Sequence, residues 1–247
     1  MKIVIAVSTY NRPTITRFCL DNLSAMRSDD VRLVVYDDAS DAYDKRELLE
    51  YADEVIRFER NGGIERSRAR AFRDFTYRFT DYDLLYLTDN DTLHDGKFIE
   101  VLQQTFAAQE TSEVKLPMSV YNTRWHNYDA NIVMETESML VLKTMPGVSQ
   151  CYNREMAQTI TDFLNMNPEM ETVYGWDYHW PEVLKRHFIV TKTSYVEHFA
   201  RDKNEGGMHC VLEANGGSFD ETFERDRAIN PTEALKNIRP LILQELE

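Results

Sequence analysis

Short runs of apolar residues recur along the first part of the chain, separated by polar stretches. These runs lack the strict alternation of a strand with one face in water. Continuous apolar segments of this length are typical of strands covered on both faces, as in parallel sheets. The predicted strands are Lys2–Val7, Val31–Tyr36, Glu54–Phe58 and Leu84–Thr88.

Between these strands, apolar residues recur at the spacing of three and four that is typical of helices. Asn11-Arg12-Pro13 opens the first predicted helix, because proline is favoured at the first helical position. Further helices are predicted over Ile64–Phe79, after a glycine turn, and over Phe98–Phe106. This alternation of strands and helices predicts a doubly wound α/β domain, with ligands at the carboxyl ends of the strands.

The second half of the sequence is less regular, and no linker or repeat divides it from the first. The predicted strands are Lys115–Val120, Asn131–Leu142, Phe188–Lys192 and Tyr195–His198. The predicted helices are Asn153–Asn165, one within Gly175–Arg186, and a terminal helix over Thr232–Glu245.

Composition narrows the class of protein. The 247 residues include three cysteines without a CxxC pair, which argues against a disulfide scaffold and a four-cysteine zinc site. No apolar run reaches the ~18 residues of a membrane span, and the apolar start is too short for a signal peptide. We therefore expect a soluble, cytoplasmic protein without a membrane span.

Charge argues against a general nucleic-acid binder. Lys and Arg number 28 against 42 Asp and Glu, a formal net charge of −14, whereas nucleic-acid binders normally carry a basic surface. A local cluster of arginines remains between Arg57 and Arg78. That cluster is either a solvated helix face or a site for a ligand that carries phosphate.

The strongest local motif is Asp89-Asn90-Asp91, directly after a buried strand. Carboxylates at a strand end avoid the desolvation cost of the core and can present oxygens to a divalent cation. Mg²⁺ and Mn²⁺ favour a few carboxylates together with phosphate oxygens, which makes a D-x-D pair suitable for a metal–diphosphate complex. A polar turn with Asp89 as a helix cap is the simpler alternative.

The ends of the first two strands exclude some cofactors. The first strand ends in Ser8-Thr9-Tyr10 without the glycines of a dinucleotide-binding turn, and the chain has no P-loop. The second strand ends in Asp37-Asp38. A carboxylate there could accept a hydrogen bond from a base N–H or a ribose hydroxyl, or could lie in a solvated turn.

Together these segments resemble the GT-A glycosyltransferases, in particular family 2. The resemblance extends over most of residues 1–200 and rests on the order of the segments Val7–Pro13, Asp37–Ser40, Asn61–Gly63 with Arg68, and Asp89–Asp91. It implies a GT-A type α/β fold, with a mostly parallel central sheet flanked by helices. It also implies a nucleotide-sugar-binding half over residues 1–110, an acceptor-binding half over residues 111–200, and a C-terminal extension over residues 201–247 packed on the same domain.

The resemblance also implies roles for individual residues. Ser8, Tyr10 and Asp38 would hold the nucleoside. Arg68 would reach the base or a phosphate, Asp89 the ribose or the metal, and Asp91 the metal.

Two later segments extend the resemblance. Tyr174–Trp180 is similar to the segment that supplies the family's catalytic base, which implies Asp177 in that role, with Glu182 as the reserve. An aspartate at a helix N-terminus stays ionised and could accept a proton, or could act only as a helix cap. His198 ends a predicted strand and, by the same likeness, would complete the metal site. Trp125, Trp176 and Trp180 are either sugar-stacking platforms or buried core residues.

The resemblance therefore implies a glycosyltransferase that depends on Mn²⁺ or Mg²⁺ and moves a sugar from a nucleotide-diphosphate donor to an acceptor hydroxyl. Uridine is the family's commonest donor base, and inversion at the anomeric carbon is its usual outcome. Two alternatives stay open: hydroxymethylated bases of phage DNA as the acceptor, and a non-catalytic module that binds sugar nucleotides or carbohydrate. A sugar-nucleotide pyrophosphorylase is disfavoured, because Ser8–Pro13 is not the glycine-rich basic loop of those enzymes.

Overall fold

The structure, a computed structural model, describes residues 1–173, 175–199 and 227–245. Its strands form a nine-stranded sheet, in the order β3-β2-β1-β4-β9-β6-β10-β8-β7, and a separate two-stranded sheet of β5 and β11. The strands are β1 Ile3–Thr9, β2 Val31–Asp37, β3 Glu54–Arg57, β4 Leu84–Asp89, β5 Thr92–His94, β6 Met118–Ser119, β7 Ile132–Glu135, β8 Met139–Leu142, β9 Ser149–Asn153, β10 Phe188–Thr191 and β11 Val196–His198.

Helices cover the large sheet and connect its parallel strands. A 3₁₀ helix, Pro168–Thr172, follows the fifth α-helix. Among the described residues, no helix combines the length and the apolar character needed to cross a membrane. The α-helices are α1 Pro13–Ser24, α2 Lys45–Leu49, α3 Ile64–Tyr77, α4 Phe98–Ala108, α5 Arg154–Met166, α6 Trp176–Leu184 and α7 Glu233–Glu245.

The parallel part of the large sheet is the part that the apolar runs predicted. β1 pairs in parallel with β2 and β4, and β2 pairs in parallel with β3. All seven residues of β1 are buried, which explains why its sequence shows no polar alternation. The chain moves outward from β1 to β3 and then returns to the other side of β1, so the strand order reverses between β1 and β4. Ligands in open α/β sheets bind at the carboxyl ends of the strands at such a reversal.

Beyond β4 the sheet becomes mixed, and two predictions change there. β9 pairs antiparallel with both β4 and β6, although its sequence predicted no strand. The strand predicted over Asn131–Leu142 is wrong as a single element, because the chain turns after Glu135 and forms the antiparallel pair β7 and β8. A bulge between Ile132 and Met134 interrupts that pairing.

Strained backbone is concentrated at the carboxyl edge of the parallel strands. Asn11 and Arg12 follow β1 with φ of 52° and 61°, and Ala39 follows β2 with φ of 63°. Gly63 precedes α3 with φ of 89° and ψ of 164°. Non-glycine residues with positive φ are uncommon, and such strain is often retained at functional sites. The turns that follow β1 and β2 therefore mark this edge as the place to look for a site.

We predict that Gly63→Ala lowers the free energy of unfolding by about 1–3 kcal/mol, because its backbone conformation is essentially restricted to glycine. No atom lies within 4 Å of an added Cβ at Gly63, so the cost is one of backbone strain alone. Gly96→Ala is the matched control, since Gly96 is equally open but does not have a positive φ. Urea denaturation measures both variants. Equal effects would contradict the assignment of strain to Gly63.

Candidate functional site

The candidate site lies where the loops after β1 and β4 meet. Ser8 in β1 is in register with Asp89 in β4, so the two loops begin side by side. Arg12 follows the first strand and Asp91 follows the second. The side chains of Arg12 and Asp91 are both 9% exposed, so both are nearly removed from solvent.

Asp91 lies between two basic side chains. One carboxylate oxygen, Oδ2, accepts a hydrogen bond of 2.6 Å from Nη1 of Arg12. The other, Oδ1, lies 3.1 Å from Nε2 of His198. His198 comes from β11, where it is in register with Thr92 of β5, directly after Asp91. The amide of Phe199 donates to the carbonyl oxygen of Asp91 at 2.7 Å and ties the two segments together.

These neighbours decide the ionisation of Asp91. Burial alone would raise the pKa of its carboxyl group, but the neighbouring His198 and Arg12 side chains outweigh burial and hold that pKa well below its usual range. The sequence suggested that these acids avoid desolvation at the strand end. Instead Asp91 is buried, because β5 and β11 cover it, and its charge is compensated by partners.

Asp89 has a different partner. Nη2 of Arg68, on α3, donates to both carboxylate oxygens of Asp89 at 3.0 and 3.1 Å. The same Nη2 donates to the carbonyl oxygen of Gly147 at 3.0 Å. Burial raises the pKa of Asp89, and Arg68 offsets that rise only in part. The two acids of the D-x-D motif therefore belong to separate charge pairs.

Asp38 closes the neighbouring turn. Its carboxylate accepts hydrogen bonds from the amides of Gly62 and Gly63, at 2.9 Å to Oδ1 and 2.7 Å to Oδ2. The side chain is 3% exposed and holds the turn before α3 against the end of β2. Tyr10, by contrast, is 44% exposed at the end of β1. Its ring is therefore accessible from this edge.

The structure brings together Ser8, Arg68, Asp89, Asp91 and His198, but it does not place every predicted residue there. Asp177 lies in α6, and its side chain is outside the described part of the structure. Glu182 is exposed on the same helix.

Two of the three tryptophans are core residues. Trp176 and Trp180 are fully buried, with ring centroids 4.4 Å apart. Burial excludes them as platforms for a sugar, so for both the core alternative is correct.

The arrangement fits a divalent cation held by two protein ligands. Oδ1 of Asp91 is buried, and Nε2 of His198 lies 3.1 Å from it. Ligands about 2.1 Å from an octahedral ion lie roughly 3 Å apart when adjacent, which matches the 3.1 Å between these atoms. No group of three acidic, histidine or cysteine side chains in the described ranges forms a ready-made site. Diphosphate oxygens and water would complete the coordination.

Two residues of this region were missed by the sequence analysis. Arg12 was interpreted as part of a helix opening, yet its left-handed backbone turns the chain into α1 directly beside Asp91. No clear signal in the sequence marked Arg12 as a partner of Asp91. Glu65 was also missed. Its Oε1 accepts from the amide of Gly175 at 3.3 Å and so links α3 to the start of α6.

The chain is similar to known proteins in sequence and in fold. The sequence matches the family model described as glycosyl transferase family 2 over residues 4–165, more than half of the chain. A comparison with curated proteins gives no significant match.

Solved structures show the same fold. The chain is similar to the TarS 1–349 fragment of S. aureus, with a TM-score of 0.54 and 14% identity over 87% of this chain and 64% of that one. It is similar to the mannosyltransferase PcManGT from Pyrobaculum calidifontis in complex with GDP-Man and Mn²⁺, with a TM-score of 0.56 and 16% identity over 99% of this chain and 69% of that one. It spans 43% of a longer TarS structure. The GT-A type α/β fold is thereby confirmed.

The charge pairing of Asp91 predicts a specific dependence of stability on pH. Its folded pKa is depressed, so its ionised form stabilises the protein above the unfolded value of about 3.9, and this stabilisation is lost as the pH falls. We therefore expect Asp91→Asn to be less stable than the wild type at pH 7 and to lose less stability between pH 6 and 3. Urea midpoints across this range measure it, with the exposed Asp129→Asn as control. An unchanged pH slope in Asp91→Asn would contradict the pairing.

Proposed function

The chain belongs to glycosyl transferase family 2, and from this membership we propose that it transfers a sugar from a nucleotide-diphosphate donor to an acceptor hydroxyl with Mn²⁺ or Mg²⁺. The observation that supports the proposal best is the contact of 3.1 Å between Asp91 Oδ1 and His198 Nε2, at the point where the strand order reverses. There a buried carboxylate oxygen meets an imidazole nitrogen, beside two arginines.

In this proposal the donor lies along the carboxyl edge of β1, β2 and β4. Ser8, Tyr10 and Asp38 contact the nucleoside, and the exposed ring of Tyr10 offers a face on which a base can stack. Arg68 contacts a phosphate or the base while remaining within reach of Asp89. Asp89 binds the ribose or contributes to the metal site.

Asp91 and His198 would hold the cation, and Arg12 would keep the second oxygen of Asp91 in place. When bound, Mn²⁺ or Mg²⁺ neutralises charge that develops on the diphosphate leaving group. Arg68 adds a positive charge on the side of Asp89. Because these groups are largely removed from water, their electrostatic effect on the leaving group is stronger than it would be in solvent.

Asp177 is the proposed general base. Its carboxylate would accept the proton of the acceptor hydroxyl as the hydroxyl oxygen forms a bond with the anomeric carbon of the sugar. The bond from that carbon to the diphosphate oxygen breaks, and the electron pair leaves with the nucleoside diphosphate. Attack from the face opposite the leaving group inverts the anomeric centre. The N-terminal position of Asp177 in α6 favours the ionised form that a base requires.

We propose a UDP-sugar as the donor. The structural neighbours carry both bases, since one TarS fragment structure contains UDP-GlcNAc and PcManGT contains GDP-Man. The base of the donor is therefore best determined by direct measurement on this chain. The acceptor is proposed to be a hydroxyl of a glycan or small molecule.

Thermal stability with Mn²⁺ and a panel of nucleoside diphosphates tests the donor site. At 100 times its dissociation constant, a ligand stabilises the folded protein by about 2.7 kcal/mol. For a chain of this length the melting temperature should rise by roughly 5–10 °C with one base and much less with the others. We expect Asp91→Ala to abolish the metal-dependent part and Asp129→Ala to retain it.

Three results would redirect the proposal. No shift with any diphosphate would contradict it. A shift without turnover of any nucleotide sugar would favour a binding module. Transfer to hydroxymethylated DNA at low salt, but to no free glycan, would favour the DNA acceptor.

Substitution of the two acids of α6 tests the general base. We expect Asp177→Asn to lower kcat by about 10²–10⁴-fold, because proton transfer by a positioned carboxylate contributes that much. The stabilisation by nucleoside diphosphate should be unchanged, since the donor site is intact. Glu182→Gln is the matched comparison on the same helix. If Glu182→Gln loses activity and Asp177→Asn does not, the base is Glu182.

A further inference from the structure

The C-terminal helix packs on the candidate site rather than on the main core. Leu235 and Ile242 of α7 form a hydrophobic cluster with Ile15 of α1, Leu93 of β5 and Phe199, which follows β11. This cluster is separate from the large core beneath the nine-stranded sheet. Three of its members follow site residues closely in the sequence: Ile15 follows Arg12, Leu93 follows Asp91, and Phe199 follows His198.

A buried ion pair lies beside this cluster. Nη1 of Arg239, in α7, is 3.0 Å from Oε2 of Glu197, in β11. The side chains are 10% and 1% exposed, so the pair is nearly removed from water. The other oxygen of Glu197 accepts from the amide of Ala228 at 3.2 Å. Because a buried carboxylate without a partner is costly, Glu197 depends on α7 and the segment before it.

Glu197 precedes His198 in the same strand. Successive side chains of a strand point to opposite faces, so Glu197 points toward α7 while His198 points toward Asp91. β11 has three residues, and within the described part of the chain it pairs with β5. The contacts of Glu197 with α7 and of Phe199 with Asp91 add to this pairing.

A second connection fixes the other end of β5. Oγ1 of Thr232 donates to Oδ2 of Asp95 at 2.7 Å, and the amide of Thr232 donates to the carbonyl oxygen of Ser194 at 3.1 Å. The amide of Asp95 in turn donates to the carbonyl oxygen of Tyr195 at 2.9 Å. The segment that leads into α7 thus joins the end of β5 to the start of β11.

We propose that Arg239 is a positioning residue for the cation site: through its ion pair with Glu197 it fixes the strand that presents His198 to Asp91. The inference rests on the proposed function, because it concerns the cation that Asp91 and His198 would hold. Groups that orient a metal ligand without touching the metal typically change metal affinity by about 10–100-fold when they are removed. Arg239 acts on the ligand through the backbone of β11 rather than through a hydrogen bond to the imidazole.

Binding of Mn²⁺ alone, followed by the electron paramagnetic resonance signal of the free ion, tests the inference. We expect Arg239→Met to raise the dissociation constant for Mn²⁺ by roughly 10-fold or more. Arg239→Lys should have a smaller effect, since it keeps the charge. The double variant Glu197→Gln with Arg239→Met should recover stability but not Mn²⁺ affinity, because it removes both buried charges without restoring the contact between α7 and β11.

Lys236→Met is the matched control on the same helix. Lys236 forms an exposed ion pair with Glu233, so its loss should leave Mn²⁺ affinity unchanged. Hydrogen exchange of the Phe199 amide provides a readout without metal, and it should accelerate in Arg239→Met but not in Lys236→Met.

The possible failures are distinct. If the wild type does not bind Mn²⁺ alone, the positioning role is overturned, whereas the proposed function is still tested separately by Mn²⁺ together with nucleoside diphosphates. If the wild type binds Mn²⁺ and Arg239→Met binds it equally well, the proposed function survives and the positioning role is overturned. An Arg239→Met protein that is less stable but has unchanged Mn²⁺ affinity also overturns the positioning role, since Arg239 would then be structural only.

Discussion

A buried carboxylate is the constraint on which the candidate site depends. Asp91 is 6% exposed, and an isolated ionised group at that depth is strongly disfavoured. Arg12 and His198 make its ionised form stable, and each reaches Asp91 from a different part of the chain. The strained turn after β1 places Arg12. The two-stranded sheet of β5 and β11, with α7 packed on it, places His198. The local fold can be understood as the means of keeping one negative charge out of water between two basic side chains.

A second charge pair connects the two halves of the molecule. Arg68 lies on α3 in the first half, yet it donates both to Asp89 and to the carbonyl oxygen of Gly147, just before β9. Glu65, one turn earlier on the same helix, accepts from the amide at the start of α6. One face of α3 thus contacts the donor edge and the helix that carries the proposed base. A nucleotide bound by Arg68 would therefore contact a side chain that is already hydrogen-bonded to Gly147 in the second half of the chain.

The sequence predicted the parallel strands well because burial on both faces leaves continuous apolar runs, as in β1 and β4. It predicted no strand at β9, since Ser149–Asn153 is rich in polar side chains. Part of this polarity is satisfied inside the core, where Gln150 accepts from Tyr152 in the same strand and Ser149 accepts from Tyr86, a bond that depends on a residue distant in the sequence. The D-x-D motif could be recognised from its two acids, separated by one residue directly after a buried strand. Its partner Arg12 was not, because a left-handed residue before proline has no strong signature in a single sequence.

The distance along the chain between Asp91 and its two partners has a consequence for synthesis. Arg12 is made before Asp91, whereas His198 follows Asp91 by 107 residues. At about 5–20 residues per second, the ribosome needs roughly 5–20 s to add that interval. The parallel strands β1 to β4 can collapse in that time with Asp91 already facing Arg12. In the nascent chain, Asp91 would thus be paired with Arg12 alone. His198 could join them only after β11 has left the exit tunnel of the ribosome.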